Sequence, residues 1–224
     1  MKIYTRAGDD GGTRLLAGGD RASKADDRVE ALGAVDAVNA AIGWAVAVIV
    51  TEIRDGAGDL SEIADLLELV QNDLFVLGSH VAIPPLAPGG RTPRVPPLPV
   101  ERVEQMEEWI DAAEEELPPL TQFILPGGTA ASAALHLART ACRTAERRVA
   151  RMAGRVATKG AASAMGSETA AARTGEDDGP VAPPSDAEVM RYLNRLSDLL
   201  FVTARLANRR AGRDDVVWRQ FPLV

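Results

Sequence analysis

The sequence predicts an all-α protein: a bundle of five long helices with an extended arm in front of them. Three observations carry this. Alanine and leucine are abundant, whereas aromatic residues make up 4% of the 224 residues. The period-two alternation of Val and Ile that strands require is almost absent. Five stretches instead repeat apolar residues at three- and four-residue spacing, the mark of a helix with one buried face.

The first 25 residues are glycine-rich and charged, fit no helix, and form either an ordered or a mobile arm. Helix one is expected over residues 26–51, with Val29, Leu32, Val35, Val38, Ala41 and Ile42 at helical spacing. Helix two follows over 59–81, with Ile63, Leu66, Leu67, Val70, Leu74 and Leu77. Helix three, over 99–117, has Pro99 in its first turn, where proline is tolerated, and Val103, Met106, Trp109 and Ile110 as its stripe. Helix four is expected over 129–155. Helix five, over 185–210, has Val189, Leu193, Leu196, Leu200 and Thr203 in register. Such helices, joined by Pro/Gly-rich loops, pack as a bundle. Residues 157–184 hold small and polar residues, three prolines and almost no large apolar side chain. They cannot offset their ordering entropy by burial. They read as a flexible insertion within a single domain spanning 1–224.

A net charge of -7 argues against general binding to nucleic acid or anionic membranes. Phosphate chemistry must therefore come from a local basic cluster. Cys142 is the single cysteine, which excludes an internal disulfide, and His80 and His136 have no metal-ligand spacing. No protein metal centre is expected; both histidines read as structural or solvent-facing, and Cys142 as a small core residue. The first residues lack the apolar core of a signal peptide. The apolar run 40–50 is too short to span a bilayer and reads as part of a buried helix. A reducing cytoplasm is the expected compartment.

Five constellations are placed to carry chemistry. Thr5-Arg6-Ala7-Gly8-Asp9-Asp10-Gly11-Gly12-Thr13 is either a loop whose backbone N–H groups approach an anion or a turn-rich tail. It lacks the ending of a P-loop and the acid spacing of an EF-hand. On helix four, Arg139, Arg143 and Arg147 recur every four residues, with Glu146 beside Arg143. Stacked arginines repel unless an anion sits opposite, and their planar forks suit phosphate. Phe123-Ile124-Leu125-Pro126-Gly127-Gly128-Thr129 ends in a turn and a Thr able to cap helix four, and Phe123 either packs or lines a pocket. Asn194 and Asp198 share a polar face of helix five. Asp36, among apolar neighbours, reads as a partly buried carboxylate in need of a cation, with Arg139 as a candidate.

Taken in order, these segments resemble the PduO-type family of ATP:cob(I)alamin adenosyltransferases. The resemblance rests on Thr5 to Thr13, Arg28 to Asn39, Gln71 to Gly78, Phe123 to Gly128, Ala138 to Arg148 and Tyr192 to Phe201. Together they cover nearly the whole chain outside the insertion. The resemblance implies a ferritin-like, five-helix bundle assembled as a homotrimer, with active sites between adjacent subunits. It implies transfer of the 5′-deoxyadenosyl group of ATP to the cobalt of cob(I)alamin, releasing triphosphate, with Mg²⁺ accompanying ATP. From the loop side, Thr5, Arg6, Gly8, Asp9, Thr13, Arg14 and Lys24 would contact ATP; from the helix side, Arg143, Glu146, Arg147 and Asn194 would. Phe123 would lie beneath the corrin ring and block its lower axial ligand. Asp36 and Arg139 would form an ion pair between subunits. A cobalamin reductase and an adenosylcobalamin-dependent mutase are the partner proteins implied. Two residues depart from the family pattern: Arg6 stands where Lys is usual, and Thr144 where Arg is usual, with Arg148 or Arg151 available to compensate. A non-catalytic nucleotide sensor, or a carrier that hands adenosylcobalamin to a mutase, is the alternative class.

Overall fold

The computed structural model describes residues 2–16, 21–56, 58–85, 93–164 and 185–219, with the backbone alone described over 155–164. Five helices dominate: α1 (Asp27–Arg54), α2 (Ser61–Val81), α3 (Arg102–Glu116), α4 (Ala130–Ala164) and α5 (Asp186–Arg210). The arm is ordered where it is described, because β1 (Gly12–Thr13) pairs antiparallel with β2 (Ala22–Ser23).

The α1–α4 seam forms the centre. On α1 the buried positions are Ala31, Val35, Val38, Ile42, Ala45 and Ile49. On α4 the matching series is Ala131, Leu135, Ala138, Cys142, Ala145, Val149 and Met152, with Ser132, Ala134 and His136 also buried. Both series alternate steps of four and three, the seven-residue repeat that keeps a stripe facing a partner helix. The helices run antiparallel. Arg148 and Arg151 of α4 pair with Glu30 and Asp27 at the start of α1, while Glu52 at its end accepts the Ala131 N–H. Alanines on both sides let the backbones approach. α2 packs on the other side of α1, and α5 on α4, with α3 outside α5.

Asp73 closes this arrangement. It is 7% exposed and accepts from the Tyr192 hydroxyl at 3.0 Å and from Arg102 Nε at 2.7 Å, tying α2 to α5 and α3. Burial, with Asp73 alongside, pushes the Tyr192 phenol well above its ordinary pKa, so it remains a donor. The caps are local. Asp26 accepts the Arg28 N–H at α1, and Ser185 and Glu188 form a reciprocal capping box at α5. Thr129 caps α4 through the Ser132 N–H at 3.0 Å.

Two expectations need correction. α3 starts at Arg102, and Pro99 lies in the preceding turn, its carbonyl accepting the Arg102 N–H. The α4 backbone stays helical to Ala164, so 157–164 extends a helix and only the rest of the expected insertion, 165–184, lies outside the described residues. Its alanines suffice for helix propagation from a long preceding helix. The apolar run 40–50 is part of α1 and buries Ile42, Ala45 and Ile49 as expected; α1 as a whole is long and apolar enough to cross a membrane by composition, a test that bundle core helices also pass.

Cys142 sits in the seam as expected, fully buried, its Sγ 3.1 Å from the Leu193 carbonyl. Burial and then Glu146 push its thiol up to about 12. His136 is buried edge-on to Phe201, ring centroids 6.0 Å apart, with no hydrogen-bond partner on either ring nitrogen among the described residues. Burial, reinforced by Arg139, lowers its pKa, so the folded state holds the neutral ring. The unfolded chain then binds the extra proton, and stability falls as pH drops through the ordinary histidine range, by at most about 1.4 kcal/mol per pH unit. Urea midpoints should decrease between pH 7.5 and 5.5, and His136→Leu should flatten that dependence. An unchanged slope would remove His136 as its source.

Candidate functional site

The arm builds one half of the site. Arg21 organises it, donating to Asp10 at 2.7 and 2.5 Å and to the Ala7 carbonyl at 2.5 Å. Asp10 also accepts the Gly12 N–H, and Gly11 takes φ 83°, a conformation glycine adopts without steric cost. Lys24 Nζ donates to the Gly8 carbonyl at 2.7 Å, drawing the start of α1 against the loop. These contacts leave a cavity of about 690 Å³ lined by Thr5, Ala7, Gly8, Gly12, Thr13, Arg14, Arg21 and Lys24. Three cations, two hydroxyls and a glycine backbone make it a receptacle for a polyanion.

Of the expected loop residues, Thr5, Gly8, Thr13, Arg14 and Lys24 converge here. Arg6 and Asp9 do not line the cavity: Arg6, at φ 59°, carries its guanidinium 5.5 Å from the Tyr4 ring centre. Arg21 escaped the sequence reading. Its only signal was a charge complementary to Asp10 eleven residues earlier, meaningful only once the chain turns back between them.

The second half lies on α4 and α5. Asn194 Nδ2 donates to Glu146 Oε1 at 3.0 Å, and no contact with Asp198 forms, because Asp198 is taken by Arg195 at 2.7 Å. Arg143 and Arg147 are exposed beside this pair. Arg139 is not in the same row. It turns inward, half-buried, its guanidinium 5.9 Å from the Phe201 ring centre. Residues four apart drift about 40° around a helix, so a row of three winds from the α5 contact into solvent. Thr144 accepts from Arg147 at 3.0 Å. Arg148 and Arg151 are committed to Glu30 and Asp27, so neither is free to take the place of an arginine at 144.

Asp36 is exposed on the outer face of α1, not partly buried, and forms no ion pair with Arg139 within the chain. It lines an apolar cavity of about 600 Å³ that includes Leu16, Leu32, Leu74 and Phe75. Arg14 borders both this cavity and the polar one. Phe123 is 81% exposed. The loop that carries it is tied to the C-terminal segment by the isolated Ile124–Val217 bridge. No three His, Cys, Asp or Glu side chains converge on a metal position among the described residues. No hydrogen bond or ion pair links the arm to Arg143, Glu146, Arg147 or Asn194 within the described chain.

The motifs and the bundle agree with comparison to known proteins. The family model for cobalamin adenosyltransferase matches residues 3–207. The chain belongs to the cobalamin adenosyltransferase family. It is 38% identical over 220 residues to the corrinoid adenosyltransferase of Mycobacterium tuberculosis, covering 97% of this chain and 93% of that one. It is 37% identical over 224 residues to that of Bacillus subtilis, covering 100% and 95%. Among solved structures it resembles variants of the PduO-type ATP:corrinoid adenosyltransferase of Lactobacillus reuteri. One is complexed with cobalamin and ATP (TM-score 0.70, 29% identity, 98% of this chain and 100% of that one). Another is complexed with ATP (TM-score 0.70, 29% identity, 97% and 100%).

The Asp10 carboxyl is held down to about 2, chiefly by Arg21 and then by the Gly12 N–H. A depressed folded-state pKa means that the contact persists above the ordinary carboxylate range and is lost only as pH falls through about 2. The protection factor of the Gly12 amide, which Asp10 accepts, should therefore hold down to about pH 3. In Arg21→Ala it should be lower at every pH. Equal protection in the variant would show that Arg21 does not hold the loop.

Proposed function

We propose that this adenosyltransferase moves the 5′-deoxyadenosyl group of ATP to the cobalt of cob(I)alamin, giving adenosylcobalamin and triphosphate. The observation that carries the reading is the coexistence of two cationic polar surfaces with an exposed aromatic, Phe123, held on a loop bridged to the C-terminal segment. Cob(I)alamin attacks the ribose C5′ carbon, the C5′–O bond breaks, and charge develops on the departing triphosphate. Arginines placed at those oxygens stabilise the transition state more than the ground state.

The residue roles are part of this proposal. Thr5, Gly8, Thr13, Arg14 and Lys24 cradle the triphosphate from the arm, with Arg6 and Asp9 approaching when nucleotide enters. Arg143, Glu146, Arg147 and Asn194 meet it from α4 and α5. Among the described residues of one chain no hydrogen bond or ion pair joins these halves, which favours completion of each site by a neighbouring subunit. An outward stripe of Ala37, Ala40, Trp44 and Ala47 on α1, continued by Phe75 on α2, offers an apolar surface for it. A homotrimer follows, with Asp36 and Arg139 pairing across its interfaces.

Mg²⁺ fits this chain as a passenger on ATP. It keeps most of its waters and enters on phosphates with one or two carboxylate or carbonyl donors, which Glu146 and Asn194 supply. Bound there, it would draw charge from the leaving triphosphate. Phe123 occupies the lower face of the corrin, leaving cobalt without its lower ligand and easier to reduce. A nucleotide sensor or a product carrier would have no use for that ring.

Chemically reduced cobalamin mixed with the protein and MgATP should lose its cob(I)alamin absorbance; no conversion would sink the catalytic reading. Arg143→Ala should cut turnover by ~10²–10³ while the oligomer persists by light scattering. Activity near wild type would mean that the leaving-group site has been misplaced.

A further inference from the structure

The segment after α5 holds the extended loop that carries Phe123. Ile124 lies opposite Val217. The Leu125 N–H donates to the Val216 carbonyl at 2.7 Å and the Trp218 N–H to the Phe123 carbonyl at 2.8 Å. Phe123 gains almost no packing of its own, so its backbone sets where the ring stands. A two-stranded pair this short is not stable alone. Its position has to come from elsewhere.

It comes from the last turns of α5. Arg205, 5% exposed, donates from Nε to Asp215 Oδ2 at 2.7 Å and from a terminal nitrogen to the Pro118 carbonyl at 2.8 Å. Asn208, 1% exposed, donates to the Gly127 carbonyl at 3.0 Å and Asp215 Oδ1 at 3.3 Å, and accepts the Thr129 N–H at 2.9 Å. Gly128, at φ 114°, presses its backbone against the Asn208 amide, where no side chain fits. One polar cluster therefore grips both ends of the loop 118–129 and the root of the C-terminal segment. A buried ion pair such as Arg205–Asp215 is a poor source of net stability, since apolar residues of similar volume serve as well or better. What it supplies is a single geometry, because each donor and acceptor is spent on a particular loop atom.

We propose that Arg205, Asn208 and Asp215 are positioning residues for Phe123, acting through the bridged C-terminal segment, which splints the ring against the lower face of the corrin. The proposal rests on the assignment of Phe123 to that face. Displacing a positioned group by about 1 Å costs on the order of 10²-fold in rate. The effect should fall on corrinoid handling and spare ATP.

The test uses the full-length protein as Asp215→Ala, Trp218→Pro and Trp218→Phe, with Phe123→Ala as reference. Trp218→Pro removes the N–H that holds the Phe123 carbonyl, and Trp218→Phe keeps it. Two readouts are taken with ATP present: the four-coordinate cob(II)alamin signal by electron paramagnetic resonance, and the KM for each substrate. Asp215→Ala and Trp218→Pro should lose the four-coordinate signal and fall ~10- to 100-fold in kcat/KM for cobalamin. The KM for ATP should stay within about twofold, and Trp218→Phe should behave as wild type. A retained signal in Asp215→Ala and Trp218→Pro, with loss in Phe123→Ala, overturns the splint and leaves the Phe123 role standing. A retained signal in Phe123→Ala overturns the Phe123 role itself. Parallel rises in both KM values overturn the splint as well. If Asp215→Ala does not fold, Trp218→Pro decides alone.

Discussion

The close antiparallel contact between α1 and α4 is the constraint on which the other elements depend. Seven-residue repeats on both helices meet, and the alanines among them set the separation. Substituting a larger residue at Ala31 or Ala138 would overpack the seam, a fault that costs about 1–3 kcal/mol. α2 and α5 are laid against its two sides, and Asp73 joins them directly while holding Arg102 of α3 on the same carboxylate. The polar residues of the functional surface project from the edge of this seam. The placement of Arg143 and Glu146 relative to Asn194 is thus a consequence of how α4 seats between α1 and α5.

Much of this was legible in the sequence. Apolar spacing placed five helices, because each buries one continuous stripe. The Asn194–Glu146 contact was foreshadowed only as two polar positions on separate helices; their meeting depends on register, which periodicity does not specify. Asp36 was misread because apolar neighbours in sequence lie on different faces of a helix from their charged companion. The end of α4 was misjudged because an alanine-rich tail and a loop rich in small residues have similar composition. Arg21 and the Arg205–Asn208–Asp215 cluster were invisible, since their partners lie across turns and loops whose closure no local pattern announces.

Electrostatically, the chain concentrates opposite tendencies. Its overall charge is -7, yet Arg14, Arg21 and Lys24 share one cavity and Arg143 and Arg147 stand exposed on one helix. Much of the remaining basic charge is neutralised locally: Arg148 by Glu30, Arg151 by Asp27, Arg195 by Glu107 and Asp198, and Arg210 by Glu62 and Glu116. Arg143 and Arg147 stay exposed without a carboxylate partner among the described residues, where a polyanion would meet them, in a chain whose net charge repels anions.

The start of α4 has a consequence for how the protein acquires its structure. Two of its first backbone donors are satisfied by side chains far away in sequence: the Thr129 N–H by Asn208 and the Ala131 N–H by Glu52, each 79 residues distant. A helix end whose donors depend on remote groups is incomplete until those groups arrive. The first turn of α4 therefore becomes secure only when the ends of α1 and α5 have docked. Closing such distant contacts is slow compared with helix growth. The turn that leads from Phe123 into α4 thus depends on both neighbouring helices at once, and it loosens when either of them frays.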